Sequence, residues 1–277
     1  MNKSLFKFIR SVGKYGKSSF RVANDNLIKI LKKYSTTSSV LKQCVICEND
    51  VGRFLPGGIR GKIFRYHHII GGGYRKNYKC PYCGTIDRER WLYYVLKNKV
   101  DVLRISGSIL HFAPEYPIQK YIQQNKQIDY YTGDILSGRA MYVIDITDIQ
   151  YEDNTFDYII CNHVMEHIVD EEKAVSEVKR VLKPDGKWIF SFPICTDMKT
   201  YEDKTVISPK QRFKEYGQKD HVRLYGYDYA ERYERYGLEL HIYSPENILD
   251  ETQIDKFGFI KDDIIIVATK VGAVFNT

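Results

Sequence analysis

Four cysteines stand in two closely spaced pairs and could bind a metal ion. Cys44 and Cys47 form the first pair, and Cys80 and Cys83 form the second pair after 32 intervening residues. Two such pairs can supply the four thiolates of a tetrahedral zinc site, and the glycines between them suit the turns of a zinc ribbon. Disulfides or redox-active cysteines are the alternative interpretations. We predict a structural Zn²⁺ ion in residues 41–86. We assign no chemistry to the other two cysteines, Cys161 and Cys195, or to the histidines within the module, His67 and His68.

A second group of reactive side chains follows the ends of predicted strands. Its members are Glu115, Asp134, Asp145, Asn162 and His163. A carboxylate can accept paired hydrogen bonds from a vicinal diol, and a histidine or a carboxylate can act as a general base. Because these residues follow strands, we expect them at the carboxyl edge of a sheet, where doubly wound folds bind ligands.

Alternating strands and helices must position these side chains. Apolar strands are predicted over 108–112, 127–132, 158–161 and 187–192, and helices over 87–97, over 117–124 and after the N-cap residue Asp170. Strands that alternate with helices at this interval predict βαβ units and a parallel sheet. The chain has 277 residues, which is enough for one α/β domain and a small additional module.

The segment from Asp145 to Pro193 carries the pattern of a known family. It reads DITDIQYEDNTFDYIICNHVMEHIVDEEKAVSEVKRVLKPDGKWIFSFP. The order of acidic residue, turn, Phe156-Asp157, histidine loop, amphipathic helix and Lys-Pro-Asp-Gly turn resembles class I S-adenosylmethionine-dependent methyltransferases of the small-molecule type, methyltransferase type 11. The resemblance implies a Rossmann-like, doubly wound α/β sheet of seven strands that closes with antiparallel strands at 238–243 and 263–269.

These patterns together divide the chain into three predicted parts. Residues 87–277 are predicted to form the methyltransferase domain, and residues 41–86 the zinc-ribbon module before it. Residues 1–40 are predicted to be a basic amphipathic arm. The polar and tyrosine-rich stretch 194–236 separates the fifth strand from the closing pair, so we interpret it as a lid on the acceptor side.

A cofactor site is implied at the predicted strand ends. In the family, the first strand ends in an acidic residue and a Gly-x-Gly loop, whereas this chain has HFAPE at 111–115 and no glycine there. By resemblance, the methionine part of S-adenosylmethionine is assigned to His111, Ala113 and Glu115, the ribose to Asp134, the adenine to Asp145 and Ile146, and a further contact to Asn162. A decayed loop that no longer binds the cofactor is the alternative interpretation.

The acceptor side needs a base if the methyl group goes to a hydroxyl oxygen. His163 and His221 are the predicted bases. His167 and Arg223 are predicted acceptor contacts, since an arginine suits an anionic acceptor such as a phosphorylated or acidic sugar. A capping or packing role for His167 and a surface salt bridge for Arg223 are the alternatives.

The net charge of +7 is concentrated at the N-terminus. Residues 1–42 contain ten basic residues and one acidic residue, so the rest of the chain is nearly neutral, with 32 basic and 34 acidic side chains. This distribution argues against a pervasive nucleic-acid surface. The basic arm either packs on the body, is disordered, or contacts anionic lipid.

No apolar run of 18 residues and no secretory signal is evident, so we predict a cytoplasmic protein, with contact to the inner membrane surface as one interpretation of the arm. A reducing compartment favours zinc over disulfides. The leading functional hypothesis is O-methylation of a saccharide or glycolipid intermediate, as in surface-polysaccharide synthesis. The alternatives are an RNA methyltransferase with a zinc module and a non-catalytic binding protein that kept the fold.

Overall fold

A computed structural model describes residues 41–102, 104 and 106–272. The predicted basic arm, residues 1–40, lies outside these described residues. Within them, no helix combines the length and the apolar character that crossing a bilayer requires.

The cysteine module consists of short antiparallel strands and one short helix. In chain order these elements are β1 (Lys42–Gln43), β2 (Asp50–Val51), β3 (Leu55–Gly58), α1 (Ile63–Tyr66), β4 (Ile69–Ile70) and β5 (Tyr74–Lys79). Strand β1 pairs with β2 and strand β3 with β5, both antiparallel. The first cysteine pair lies in the β1–β2 turn and the second pair follows β5, which is the hairpin arrangement predicted for a zinc ribbon.

The body of the protein alternates helices and strands from residue 87 onward. Its first half contains α2 (Asp87–Asn98), β6 (Gly107–Phe112), α3 (Tyr116–Ile122), β7 (Ile128–Asp134), β8 (Tyr142–Val143), β9 (Phe156–Asn162), a 3₁₀ turn (Met165–His167), α4 (Glu171–Val181) and β10 (Leu182–Ser191). Its second half contains β11 (Ile194–Cys195), α5 (Pro209–Tyr216), β12 (Tyr225–Gly226), α6 (Tyr229–Glu234), β13 (Leu238–Tyr243), α7 (Pro245–Ile248), α8 (Glu251–Phe257) and β14 (Ile265–Lys270).

The main sheet has seven strands in the order β13-β14-β10-β9-β6-β7-β8. The pairs β10–β9, β9–β6, β6–β7 and β7–β8 are parallel, and β14 is antiparallel to both of its neighbours. The predicted doubly wound, Rossmann-like sheet with an antiparallel closing pair is therefore confirmed. The reversal of strand order between β6 and β9 opens a crevice at the carboxyl ends of these strands, where such folds bind ligands.

Both faces of this sheet are covered by helices. Ile159 and Ile160 of β9 are fully buried, yet they belong to two different apolar clusters. Ile159 packs in the cluster that contains the apolar face of α4, and Ile160 in the cluster that contains α2 and α3. Adjacent strand residues point to opposite faces, so this division explains why the strands read as continuous apolar runs.

Two local predictions are refined by the structure. Asp170 caps α4 as predicted, since its Oδ1 accepts a hydrogen bond from the Lys173 amide at 3.0 Å. The strand predicted from Lys187 begins earlier, because Leu182 already pairs with Phe156 before the Lys-Pro-Asp-Gly turn makes a bulge.

The cysteine module and the predicted lid share a third, small sheet. Strand β11, at the start of the lid, pairs antiparallel with β4 of the module and parallel with β12 of the lid. The sequence placed these segments in separate units. Through this pairing, the cysteine module packs against the segment that is predicted to be the lid.

Candidate functional site

The four module cysteines converge on one point. Their sulfur atoms all lie within 4.8 Å of one another, with Cys44 Sγ 3.7 Å from Cys83 Sγ and Cys47 Sγ 3.9 Å from Cys80 Sγ. A tetrahedron with Zn–S bonds of about 2.3 Å requires sulfur separations of about 3.8 Å, whereas a disulfide requires about 2.05 Å. The spacing therefore fits a tetrahedral metal ion and does not fit disulfides.

Arg90 ties this cysteine cluster to the body. Its fully buried guanidinium donates hydrogen bonds to the carbonyl oxygens of Asn77, Thr85 and Gly258, and it lies 3.9 Å from the ring centre of Phe54. These partners come from both the module and the C-terminal part of the body. The Arg90 side chain therefore fixes the position of the module against the body.

One residue of the HFAPE loop adopts a backbone conformation that favours glycine. Ala113 has a φ of +45°, in the left-handed region that favours glycine, and its amide donates to the carbonyl of Gly133 at 2.8 Å. A non-glycine residue pays about 1–3 kcal/mol for such a conformation, and strain of this kind is typical of ligand-binding loops.

Glu115 is held at the centre of a hydrogen-bond network behind this loop. One carboxylate oxygen is 3.0 Å from His111 Nε2, and the other accepts a hydrogen bond from Asn162 Nδ2 at 2.6 Å. Burial would raise the pKa of Glu115, but the hydrogen bonds from His111 and Asn162 outweigh it and hold that pKa below its usual value. Glu115 is therefore an ionised carboxylate at neutral pH.

His111 was assigned to the cofactor, and the structure gives it a supporting position instead. The imidazole is fully buried between Glu115 and Tyr130, and its Nδ1 lies 2.8 Å from the Tyr130 hydroxyl oxygen. It therefore orients Glu115 and presents no surface of its own.

The two predicted acidic residues lie at the ends of β7 and after β8. Asp134 is half-buried, and its Oδ1 accepts the Leu136 amide at 2.8 Å. Asp145 is exposed, and its Oδ1 accepts both the amide and the hydroxyl of Thr147 at 2.8 Å. The Ile146 side chain is buried in the core, so it would meet a ligand only through its backbone.

A buried His–Glu–His cluster follows β9. His163 Nδ1 is 3.2 Å from Glu166 Oε1, and the same oxygen is 3.9 Å from His221 Nε2. His163 has a φ of +54°. Among the described residues, no hydrogen-bond partner meets either buried ring nitrogen of His221 or the buried Oε2 of Glu166. Unpartnered buried polar atoms are rare and mark a place where a ligand can satisfy them.

Burial sets the charge of this cluster. It lowers the pKa of His163 well below its usual value, lowers that of His221 to about 3, and raises that of Glu166 to about 8. Both imidazoles are therefore neutral at pH 7. Sequence reasoning did not single out Glu166, although its place between His163 and His167 in an H-x-x-E-H spacing was a usable signal.

The two predicted acceptor contacts have different environments. His167 is about one third exposed, lies 3.4 Å from Asp220 and stacks edge-on against His221, so it packs beside the predicted base. Arg223 is buried, and its donors are all occupied by Glu202 and by the carbonyl oxygens of Met165, Ile168 and Val169. With every N–H group used, Arg223 holds the loop after β9 and is not free to bind an acceptor, which corrects the predicted role.

A cavity lies between the cysteine module and the lid, next to this cluster. It has a volume of about 120 Å³. His221 lines it, and so does Gly71, where an added Cβ would come within 3.3 Å of the His163 ring. Other lining residues come from the module, from the start of α2 and from the lid, and they include Phe64, Tyr78, Arg88, Tyr216 and Gln218.

Glu166→Gln should change how stability depends on pH. The folded protein keeps the Glu166 proton up to about pH 8, whereas an unfolded chain releases it near the ordinary pKa of 4.5. This contribution is fully present below pH 4.5 and is lost as pH rises to about 8, at up to about 1.4 kcal/mol per pH unit. We expect the wild-type free energy of unfolding, measured with urea, to fall more steeply over this range than that of the variant. Equal slopes would contradict the burial of an ionisable group here.

Residues 117–190 match a family model described as a methyltransferase domain. Among curated proteins, phosphoethanolamine N-methyltransferase 2 of Caenorhabditis elegans is 43% identical over 51 residues, which are 18% of this chain and 12% of that protein. An uncharacterized protein of Methanocaldococcus jannaschii is 44% identical over 45 residues, or 16% of this chain and 20% of that protein. The matched region thus spans at most a fifth of either relative.

Solved structures resemble the body of the chain. Phosphoethanolamine N-methyltransferase 2 of Haemonchus contortus, in complex with phosphomonomethylethanolamine and S-adenosylhomocysteine, superimposes with a TM-score of 0.45 and 16% identity. The superposition covers 68% of this chain and 53% of that one.

Proposed function

We propose that this chain, of which residues 117–190 match a methyltransferase-domain model, is a class I S-adenosylmethionine-dependent methyltransferase and that it transfers a methyl group from this cofactor to a hydroxyl group of a small-molecule acceptor. The observation that carries the choice of a hydroxyl is the buried cluster of His163, Glu166 and His221 beside the cavity. A hydroxyl must lose its proton during methylation and so needs a base, whereas a neutral amine is already nucleophilic.

The residues at the carboxyl ends of β6, β7 and β9 fit the cofactor. Asp134 Oδ2 makes no hydrogen bond within the described residues and would accept from the ribose diol, while the ionised Glu115 would face the ammonium group. Asp145 would accept from the adenine amino group, and the strained backbone at Ala113 would contact the methionine part. When bound, the cofactor supplies an electrophilic methyl group on a sulfonium.

The residues of this chain would then position and deprotonate the acceptor. His163, neutral at pH 7, takes the hydroxyl proton on Nε2 while its Nδ1 faces Glu166 at 3.2 Å. Glu166, whose pKa is raised to about 8 by burial, is largely protonated at pH 7 and would hold the His163 ring in place through this contact. His221 and His167 form the wall that closes the cluster. Alignment of the acceptor oxygen with the methyl group supplies most of the acceleration.

For the acceptor we propose a saccharide or glycolipid intermediate, with many hydroxyls and a polar body. The support is the aromatic and polar lining of the cavity, including Tyr78, Tyr216 and Gln218. We further propose that the four cysteines bind a structural Zn²⁺ ion, that the protein acts in the cytoplasm, and that nucleic acid is not its substrate, since the charge of the body is nearly balanced.

Titration with S-adenosylhomocysteine in a calorimeter tests the cofactor site. Asp134→Ala should weaken binding by about ten- to a hundredfold, because charge-assisted hydrogen bonds to the ribose contribute about 1.5–3 kcal/mol. Asp129→Ala removes an exposed carboxylate from the same strand and should leave binding unchanged. No binding to the folded wild type would reject the enzyme and favour a binding protein that kept only the fold. Acceptors can then be sought as extract compounds that gain the mass of one methyl group.

A further inference from the structure

Two arginines line the cavity, and they have different partners. Arg75 is paired with Asp87, with Nη2 3.0 Å from Oδ1, and its Nη1 donates to the Gly73 carbonyl at 3.0 Å. Its charge is therefore neutralised within the protein. Arg88, near the start of α2, forms no ion pair with any described carboxylate, and its Nε is buried without an acceptor.

The unpaired charge of Arg88 acts on the whole His–Glu–His cluster. Burial is the main reason for the lowered pKa values of His163, His167 and His221, and the positive charge of Arg88 lowers all three further. The guanidinium therefore lies within electrostatic reach of the predicted base. Charges that are partly removed from water are normally paired, so a counter-ion is missing at this place.

None of the described carboxyl groups near the cavity forms an ion pair with Arg88, and the neighbouring Glu89 accepts a hydrogen bond from the Ile86 amide at 2.8 Å instead. Burial raises the pKa of Glu166 to about 8, and it raises that of Asp263, which packs near Gly71, to about 7. Both are largely protonated or only partly ionised at neutral pH. The cavity thus combines a free guanidinium, a neutral base and little negative charge.

We propose that Arg88 binds an oxyanionic group of the acceptor, a phosphate or a carboxylate, in the cavity between the cysteine module and the lid. This inference rests on the proposed function and narrows its substrate to acidic or phosphorylated molecules. A guanidinium binds either group through paired hydrogen bonds. The anion at Arg88 would hold the acceptor in the cavity that Gly71 and His221 also line, beside the His163 ring. Anion recognition, first expected of Arg223, thus falls to a residue of α2.

A cation is the competing occupant of this place. Ligand atoms of Glu166, His167 and His221 lie within 4.8 Å of one another and could hold a metal ion. The nearby charge of Arg88 disfavours a cation there. Metal analysis decides the matter: more than one zinc per chain in the wild type, falling to one in His221→Ala, would overturn anion binding.

Inorganic phosphate and acetate are suitable probes for the full-length, zinc-loaded protein saturated with S-adenosylhomocysteine. Binding is followed by thermal shift at constant ionic strength. We expect saturable binding to the wild type, at least about tenfold weaker binding to Arg88→Gln, and an intermediate result for Arg88→Lys, which keeps the charge without the fork. Preference for phosphate or for acetate identifies which oxyanion the site takes.

Arg104→Gln is the matched control, because the Arg104 side chain is 85% exposed and does not line the cavity. It should bind both probes like the wild type. Since the Arg88 guanidinium makes no hydrogen bond within the described residues, Arg88→Gln should keep its thermal stability. Equal binding by Arg88→Gln and the wild type, or no saturable binding to either, overturns the assignment. If the wild type did not bind S-adenosylhomocysteine at all, the proposed function itself would be rejected.

Discussion

Replacing His163 by asparagine should lower kcat by about two to four orders of magnitude, which is the usual contribution of a positioned general base. Asparagine is chosen because His163 has a φ of +54°, a conformation that asparagine adopts more readily than alanine. The amide cannot accept the acceptor proton, yet it can still contact Glu166. We therefore expect the fold and the affinity for S-adenosylhomocysteine to persist while turnover collapses, as measured by steady-state kinetics beside calorimetry.

His68→Asn is the control for this experiment, since its imidazole is 66% exposed and contacts only Asp262, at 3.5 Å, and the Thr196 hydroxyl, at 3.0 Å, among the described residues. The same chemical change there should leave kcat within about twofold of the wild type. If His163→Asn retained full turnover, the base would have to be sought elsewhere. A parallel loss of cofactor binding would show that His163 shapes the cofactor site and is not the base.

Removal of the proposed zinc should unfold residues 41–86 and abolish methyl transfer. The apolar cluster of this module is small, with Cys44, Val51, Phe54 and Cys80 as its buried members, so it cannot hold the module together alone. Metal binding contributes about 10–16 kcal/mol in comparable small zinc modules. Because β4 pairs with β11 and the module lines the cavity, its unfolding removes a wall of the acceptor site.

Cys80→Ser is the direct test, with zinc content, circular dichroism and turnover as readouts. We expect one zinc per chain in the wild type and none that survives dialysis in the variant. Cys195→Ser makes the same substitution outside the cluster, where the hydroxyl can replace the thiol that donates to Asp197 at 2.7 Å, and should keep the metal. Full activity of a zinc-free Cys80→Ser protein would show that the module is dispensable for the site.

The two experiments separate the two parts of the site. Loss of the base stops chemistry with the cofactor bound, whereas loss of zinc removes the acceptor wall and leaves the crevice at β6, β7 and β9 intact. Calorimetry with S-adenosylhomocysteine should therefore detect binding in both variants. The proposed cofactor crevice lies at the seven-stranded sheet, and the proposed acceptor cavity lies between the cysteine module and the lid.

The sequence was sufficient for features that depend on local pattern. Apolar runs of strand length fixed the central strands, and helical periodicity after Asp170 fixed α4. The spacing of the four cysteines predicted a cluster whose sulfur atoms meet within 4.8 Å. The strand ends predicted where Asp134, Asn162 and His163 lie, because parallel strands bring their carboxyl ends to one edge.

Other features depended on contacts between distant residues. The buried environment of His111 beside Tyr130, and the full set of donors that Arg223 gives to Glu202 and three carbonyl groups, follow from packing that no spacing along the chain encodes. The difference between the two arginines was likewise invisible. Arg223 was predicted to contact the acceptor, with a surface salt bridge as the alternative, and all its donors are engaged within the protein, whereas Arg88 was not singled out and has no counter-ion within the described residues.

By itself, then, the sequence determined the fold, the cysteine cluster and the edge of the sheet that carries the site, since each follows from periodicity or from short spacing. Only the tertiary structure decided how the site is completed. The pairing of β4 with β11 brings the cysteine module over the lid and creates the cavity. Burial there gives Glu166 its raised pKa and Arg88 its unpaired charge, and burial is a property of the packed chain, not of any one segment of it.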